Sequence, residues 1–252
     1  MRRYIYFVFL LCCAVNLLLT SCVRQKYVVM DMVHHNPGEA MTESKFLDPS
    51  FLKKNEYGAK VFFLFEAAQF GIDWKNFDPS LFPDTTEAGR WVAEKAEIIH
   101  KKYDEAKKED LQVYCMLDML VLPSLLVEKH RTELTNEQGK LDISKPYTQL
   151  CIRELMKEMF ETFPQLDGLV IRTGETYLHD APYYVGNHPV QNGMYDHITL
   201  INLLREEVCE RRNKKLFYRT WDMGQLHSIP KYYLSVTDSI EPHPNLSLIH
   251  IS

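Results

Sequence analysis

The sequence predicts a parallel α/β barrel of the (β/α)8 type, incomplete at about five and a half βα units. Three observations predict it. Short apolar strands alternate with amphipathic helices, helix-to-strand turns are tight, and strand-to-helix loops are long. The strands are Tyr27-Val28-Val29-Met30, Val61-Phe62-Phe63-Leu64-Phe65, Leu111-Gln112-Val113-Tyr114-Cys115-Met116-Leu117, Leu169-Val170-Ile171 and Leu216-Phe217-Tyr218, with a sixth beginning near Leu246. They do not alternate cleanly between apolar and polar, as expected of parallel strands buried on both faces.

The helices show a 3.6-residue period. In residues 147–163, Ile152, Leu155, Met156, Met159, Phe160 and Phe163 fall on one face. Ala88, Trp91, Val92, Ile98 and Ile99 mark a helix within 85–108, and Ile201, Leu204 and Val208 one within 197–212. The loops 67–84, 118–144 and 173–195 all follow strands. That places them at one end of the sheet, where a barrel builds its active site. The turn after the first strand reads VMDMVHHNPGE, without the GxGxxG of a dinucleotide fold, so no cofactor is expected.

Successive strands start roughly 44 residues apart, so eight units would need roughly 350 residues against the 252 present. The chain therefore reads as a fragment ending inside a sixth strand, and the terminal Leu-Ser-Leu-Ile-His-Ile-Ser resembles translated adapter sequence. The alternative is a smaller complete α/β protein.

Composition narrows the function. The chain is 46% hydrophobic and 25% charged, with 29 basic and 34 acidic side chains and a net charge of −5, so a nucleic-acid partner is disfavoured. A basic start (Met1-Arg2-Arg3), an apolar run and the sequence Leu19-Thr20-Ser21-Cys22 read as an export signal over 1–21, leaving a partial barrel domain over 22–252. The last four residues resemble the lipobox of bacterial lipoproteins. That resemblance implies lipidation of Cys22, a membrane anchor rather than a span, and a cell-envelope location. Cys115, Cys151 and Cys209 are scattered and show no zinc or disulfide spacing.

Each of the first five strands brings a carboxylate near its C-terminal tip: Asp31, Glu66, Asp118, Glu175 and Asp222. Close carboxylates raise one another's pKa and create a proton donor at neutral pH, which general acid catalysis requires. His35, His188 and the arginines Arg172 and Arg219 share that end. Each arginine reads either as an internal ion-pair partner of a strand-end acid or as a bidentate clamp for a substrate carboxylate. Trp74, Tyr177 and Trp221 could stack on sugar faces, and Tyr183 has the same two readings; Phe70, Phe77 and Phe82 read better as packing for long loops.

The segment GLVIRTGETYLHDAPYYVGNHP, residues 168–189, resembles barrel glycoside hydrolases. With the first two strand segments, it looks most like α-glucuronidase-type barrels and their bacterial lipoprotein relatives. The resemblance implies Glu175 as the acid/base, acting with Asp222 or Glu66, and an oligo- or polysaccharide substrate containing uronic acid. It also implies a further carboxylate on a later strand, so the fragment itself would be inactive. The sequence departs from the best-known barrel glycosidases, because Gly174, not Asn, precedes Glu175. Two other readings compete. One is a glycan-binding lipoprotein without turnover. The other is a metal-dependent hydrolase using His34, His35, Asp118, His188 and Asp222, which lacks the HxH spacing of metal barrels.

Overall fold

The computed structural model describes residues 28–31, 44–63, 66–178, 180–221 and 225–249. Six strands, β1 (Met30–Asp31), β2 (Ala59–Phe62), β3 (Gln112–Asp118), β5 (Leu166–Arg172), β7 (Lys215–Arg219) and β8 (Leu246–Ile249), form one sheet. All its pairings are parallel, and sheet order follows chain order. The sheet curls into a half-barrel, as predicted. Because every neighbour is parallel, the strands all end at the same edge of the sheet.

The longest helices match the expected periods: α2 (Glu87–Lys108), α5 (Pro146–Thr162) and α6 (Met194–Leu204). Helix α2 begins where the Thr86 hydroxyl accepts from the Gly89 amide, with Glu87 in its first turn. It ends on Lys107 and Lys108, so both ends complement the helix dipole. Helix α5 starts at Pro146, whose missing amide proton costs nothing in a first turn. The predicted helix over 197–212 is two pieces, α6 and a π-helical turn, Arg205–Glu210. Short helices α1 (Pro49–Lys54), α3 (Ser124–Lys129), α4 (Arg131–Leu134) and α7 (Pro230–Thr237) complete the outer layer.

Two apolar layers flank the sheet. The outer one packs the strands against the helices and includes Phe62, Val113, Cys115, Leu117, Leu169, Ile171 and Tyr218. The inner one lies on the concave face: Ala59, Val61, Phe63, Tyr114, Met116 and Val170, with Phe217 and Ile249 packed against it. Gly168 permits the close contact of β5 with β7, since a Cβ there would sit 2.1 Å from the Lys215 carbonyl oxygen. The three described cysteines are buried free thiols, and burial pushes Cys115 and Cys151 up to about 12 and Cys209 up to about 11.

The long loops carry structure that the sequence does not announce. β4 (Val121–Pro123), from the loop after β3, pairs antiparallel with β6 (Tyr184–Gly186), from the loop after β5. Around it, Tyr184 stacks on Phe82 and meets Phe70 edge-on, while Tyr183 packs against Trp91. These rings fasten the loops to the barrel, and the sugar-stacking alternative for Tyr183 finds no support in this contact. Among the described residues no helix is long and apolar enough to cross a membrane.

Candidate functional site

Side chains alternate between the two faces along a strand, and one inward residue fixes the rest. Tyr114 and Met116 face inward, which brings Asp118 inward; Val170 does the same for Arg172, and Phe217 for Arg219. The three charged groups thus meet at the C-terminal mouth of neighbouring strands β3, β5 and β7.

Arg172 anchors this cluster. Its Nη2 donates to Asp118 Oδ2 at 2.8 Å and its Nε to Asp118 Oδ1, a bidentate pair with both side chains buried. Its guanidinium lies between two rings, 4.7 Å from the Phe63 centroid and 4.4 Å from that of Tyr177. Asp118 Oδ2 also accepts from the Tyr177 amide at 2.9 Å, which ties the loop after β5 to the tip of β3. The ion-pair reading of Arg172 is therefore the observed one.

Glu175 sits one turn further out. Gly174, at φ 95°, makes the bend that brings it round, and the Gly174 amide donates to His188 Nδ1 at 2.9 Å. Glu175 Oε2 accepts from Arg172 Nη1 at 3.4 Å and from the Tyr177 hydroxyl at 3.1 Å. Oε1 makes no hydrogen bond among the described residues, and the side chain is 33% exposed. Partial burial, and then the bond to Glu175, push the Tyr177 phenol up. Burial, and then the like charge of Arg172, push Arg219 down, partly offset by Glu175 and Asp118. Arg219 Nη1 also lies 3.9 Å from Met116 Sδ. Trp221, two residues beyond Arg219, is half-buried.

Three expected residues lie elsewhere. Asp31 follows the inward Met30 and so faces outward, where it makes a buried ion pair with Lys60 at 2.8 Å beneath the Phe46 carbonyl. Glu66 turns to the helix layer: its carboxylate pairs with Lys102 of α2 and its carbonyl accepts from the Tyr103 hydroxyl at 2.8 Å. Trp74 is fully buried and packs edge-on against Phe77, so it offers no face to a sugar. The placement of Asp31, Glu66 and Trp74 corrects the expectation that they join one mouth; the physical reason is strand parity for the first, the end of β2 at Phe62 before the second, and core packing for the third. His34, His35, Asp222 and Cys22 lie outside the described residues. Sequence reasoning overlooked Phe63, although its in-phase spacing with Ala59 and Val61 marks it as inward.

No family model matches the sequence, and a search of curated proteins gives no match. Among solved structures the chain is similar to a GH138 enzyme targeting pectin rhamnogalacturonan II, at 16% identity and TM-score 0.43 over 82% of this chain and 21% of that one. It is also similar to a glycoside hydrolase family 5 enzyme from Prevotella bryantii, at 10% identity and TM-score 0.44 over 84% and 55%. A third is the tri-modular endo-beta-1,4-glucanase B of Bacillus halodurans, at 13% identity and TM-score 0.43 over 84% and 35%. The chain thus spans between 21% and 55% of the length of these three. Likenesses this distant transfer no substrate or residue role, and the fold rests on the strand order and pairing described above.

Proposed function

We propose that the mouth formed by β3, β5 and β7 binds a carbohydrate, and that the full-length protein hydrolyses glycosidic bonds with Glu175 as acid/base. One observation carries the reading: Glu175 is held through Oε2 by two donors, while Oε1 accepts from none of the described residues. A proton on Oε1 passes to the glycosidic oxygen as the bond to the anomeric carbon breaks. The negative charge left on Glu175 is then met by Arg172 and Tyr177, already in place. Glycoside hydrolysis needs a second carboxylate as base or nucleophile. Asp222, three residues past β7, is the proposed partner; Glu66, turned to α2, is left out. Asp118 and Arg172 hold the arrangement, while His188 and Trp221 flank the substrate.

The substrate class is a glycan containing uronic acid. Arg219 faces inward beside Arg172 at the mouth, and its guanidinium is the group proposed to meet a substrate carboxylate in a bidentate pair. The test is turnover and binding of uronic-acid and neutral oligosaccharides by the full-length protein. Glu175→Gln is expected to lower turnover by about 10²–10⁴-fold with binding kept, and Arg219→Gln to weaken only the uronic-acid ligands. Wild-type turnover in E175Q would overturn the mechanism. A wild type that binds these glycans and hydrolyses none would assign the mouth to recognition alone.

The protein is further proposed to be lipid-anchored in the cell envelope through Cys22. Metabolic labelling with palmitate is expected to mark the wild type and not Cys22→Ser; equal labelling of both would end that assignment.

A further inference from the structure

A second cavity lies outside the strand-end mouth, between the loop after β2 and the helices α2 and α5. Its volume is about 520 Å³, within the usual range for small-ligand sites. Asp73 and Asp84 reach it from the loop and Glu158 and Glu161 from α5, against one cation, Lys75. Lys75 Nζ pairs with Asp73 at 3.2 Å and its charge also acts on Glu158 and Asp84, so four carboxylates share a single cation in the wall.

A ring of acids on a surface is ordinarily just solvated. Glu158 sets this one apart. It is 3% exposed, it lines the cavity, and its Oε1 is buried with no hydrogen-bond partner. A buried carboxylate oxygen left unmatched is costly, and a ligand donor is one way to match it. Burial, and then the charge of Asp73, push Glu158 up, while the amides of Phe77 and Asn76 pull it back. The charge is also distributed. Among the described residues no three acidic, histidine or cysteine side chains gather closely enough to hold a metal ion. Carboxylates spread over two walls match several positive charges set apart along one molecule better than a point cation.

We propose that this cavity is a binding site for a small aliphatic polyamine, with one ammonium group donating to Glu158 Oε1 and another reaching Asp84 on the loop wall. The site is independent of the carbohydrate reading, because it shares no residue with the mouth.

Calorimetric titration with spermidine, with magnesium chloride and with calcium chloride tests it on the whole protein. Spermidine is expected to bind, and to bind more weakly as sodium chloride rises. Glu158→Gln keeps the shape and removes the charge; it is expected to weaken spermidine about tenfold or more. Glu161→Gln, at an exposed position, provides a second variant should E158Q not fold, with a smaller loss in the same direction. Spermidine affinity unchanged in both variants, no heat with spermidine at millimolar concentration, or displacement of spermidine by equimolar calcium would each overturn the proposal.

Discussion

Arg172→Met is expected to destabilise the protein by about 3–5 kcal/mol, the cost of leaving a buried charge without its partner. Among the described residues Asp118 keeps only the Tyr177 amide in that variant, and the space between the Phe63 and Tyr177 rings loses its cation. At the usual entropy of unfolding for a domain of 150–250 residues, the loss lowers Tm by roughly 6–20 °C. The pair with Asp118→Leu completes a double-mutant cycle. Because an apolar replacement of both partners removes the desolvation cost as well as the attraction, the double variant is expected to recover most of the loss. Thermal melts of the four proteins decide it: additive losses would mean that the contact with Asp118 contributes little and that Arg172 acts through its rings alone.

The second large effect is at the other end of the sheet. Asp31→Ala removes the carboxylate partner of Lys60, a buried ammonium that among the described residues keeps the Phe46 carbonyl at 3.0 Å and the Phe62 ring at 5.6 Å. The expected loss is again about 3–5 kcal/mol near neutral pH. A second variant separates this cause from simple loss of packing. Lys60→Met added to D31A removes the stranded ammonium, and urea melts of the double variant are expected to recover most of the loss. A double variant as unstable as D31A would trace the loss to packing instead.

These two ion pairs mark where sequence reading succeeds and where it stops. The six strands and three long helices are legible because burial imposes periods on the chain: runs of apolar residues in β3 and β5, and one apolar face in α5. The end of the sheet where the long loops gather is legible from their lengths. Direction is harder. A strand apolar on both faces hides its phase, so Asp31 and Asp118 look alike as strand-tip acids although one faces the helices and the other the mouth. Glu66 lies four residues past Phe62, where the pleat has ended and nothing in the sequence fixes its aim. A buried Trp74 and an exposed one have the same letter. The β4–β6 pairing joins three residues to three others more than sixty positions away, with no local pattern to announce it.

That same short ladder has a consequence for rebuilding the rim. The segments after β3 and β5 hold each other by main-chain hydrogen bonds, so an insertion within either ladder segment would shift the register of the pair. Transplanting either segment alone into a different scaffold would carry across half a rim.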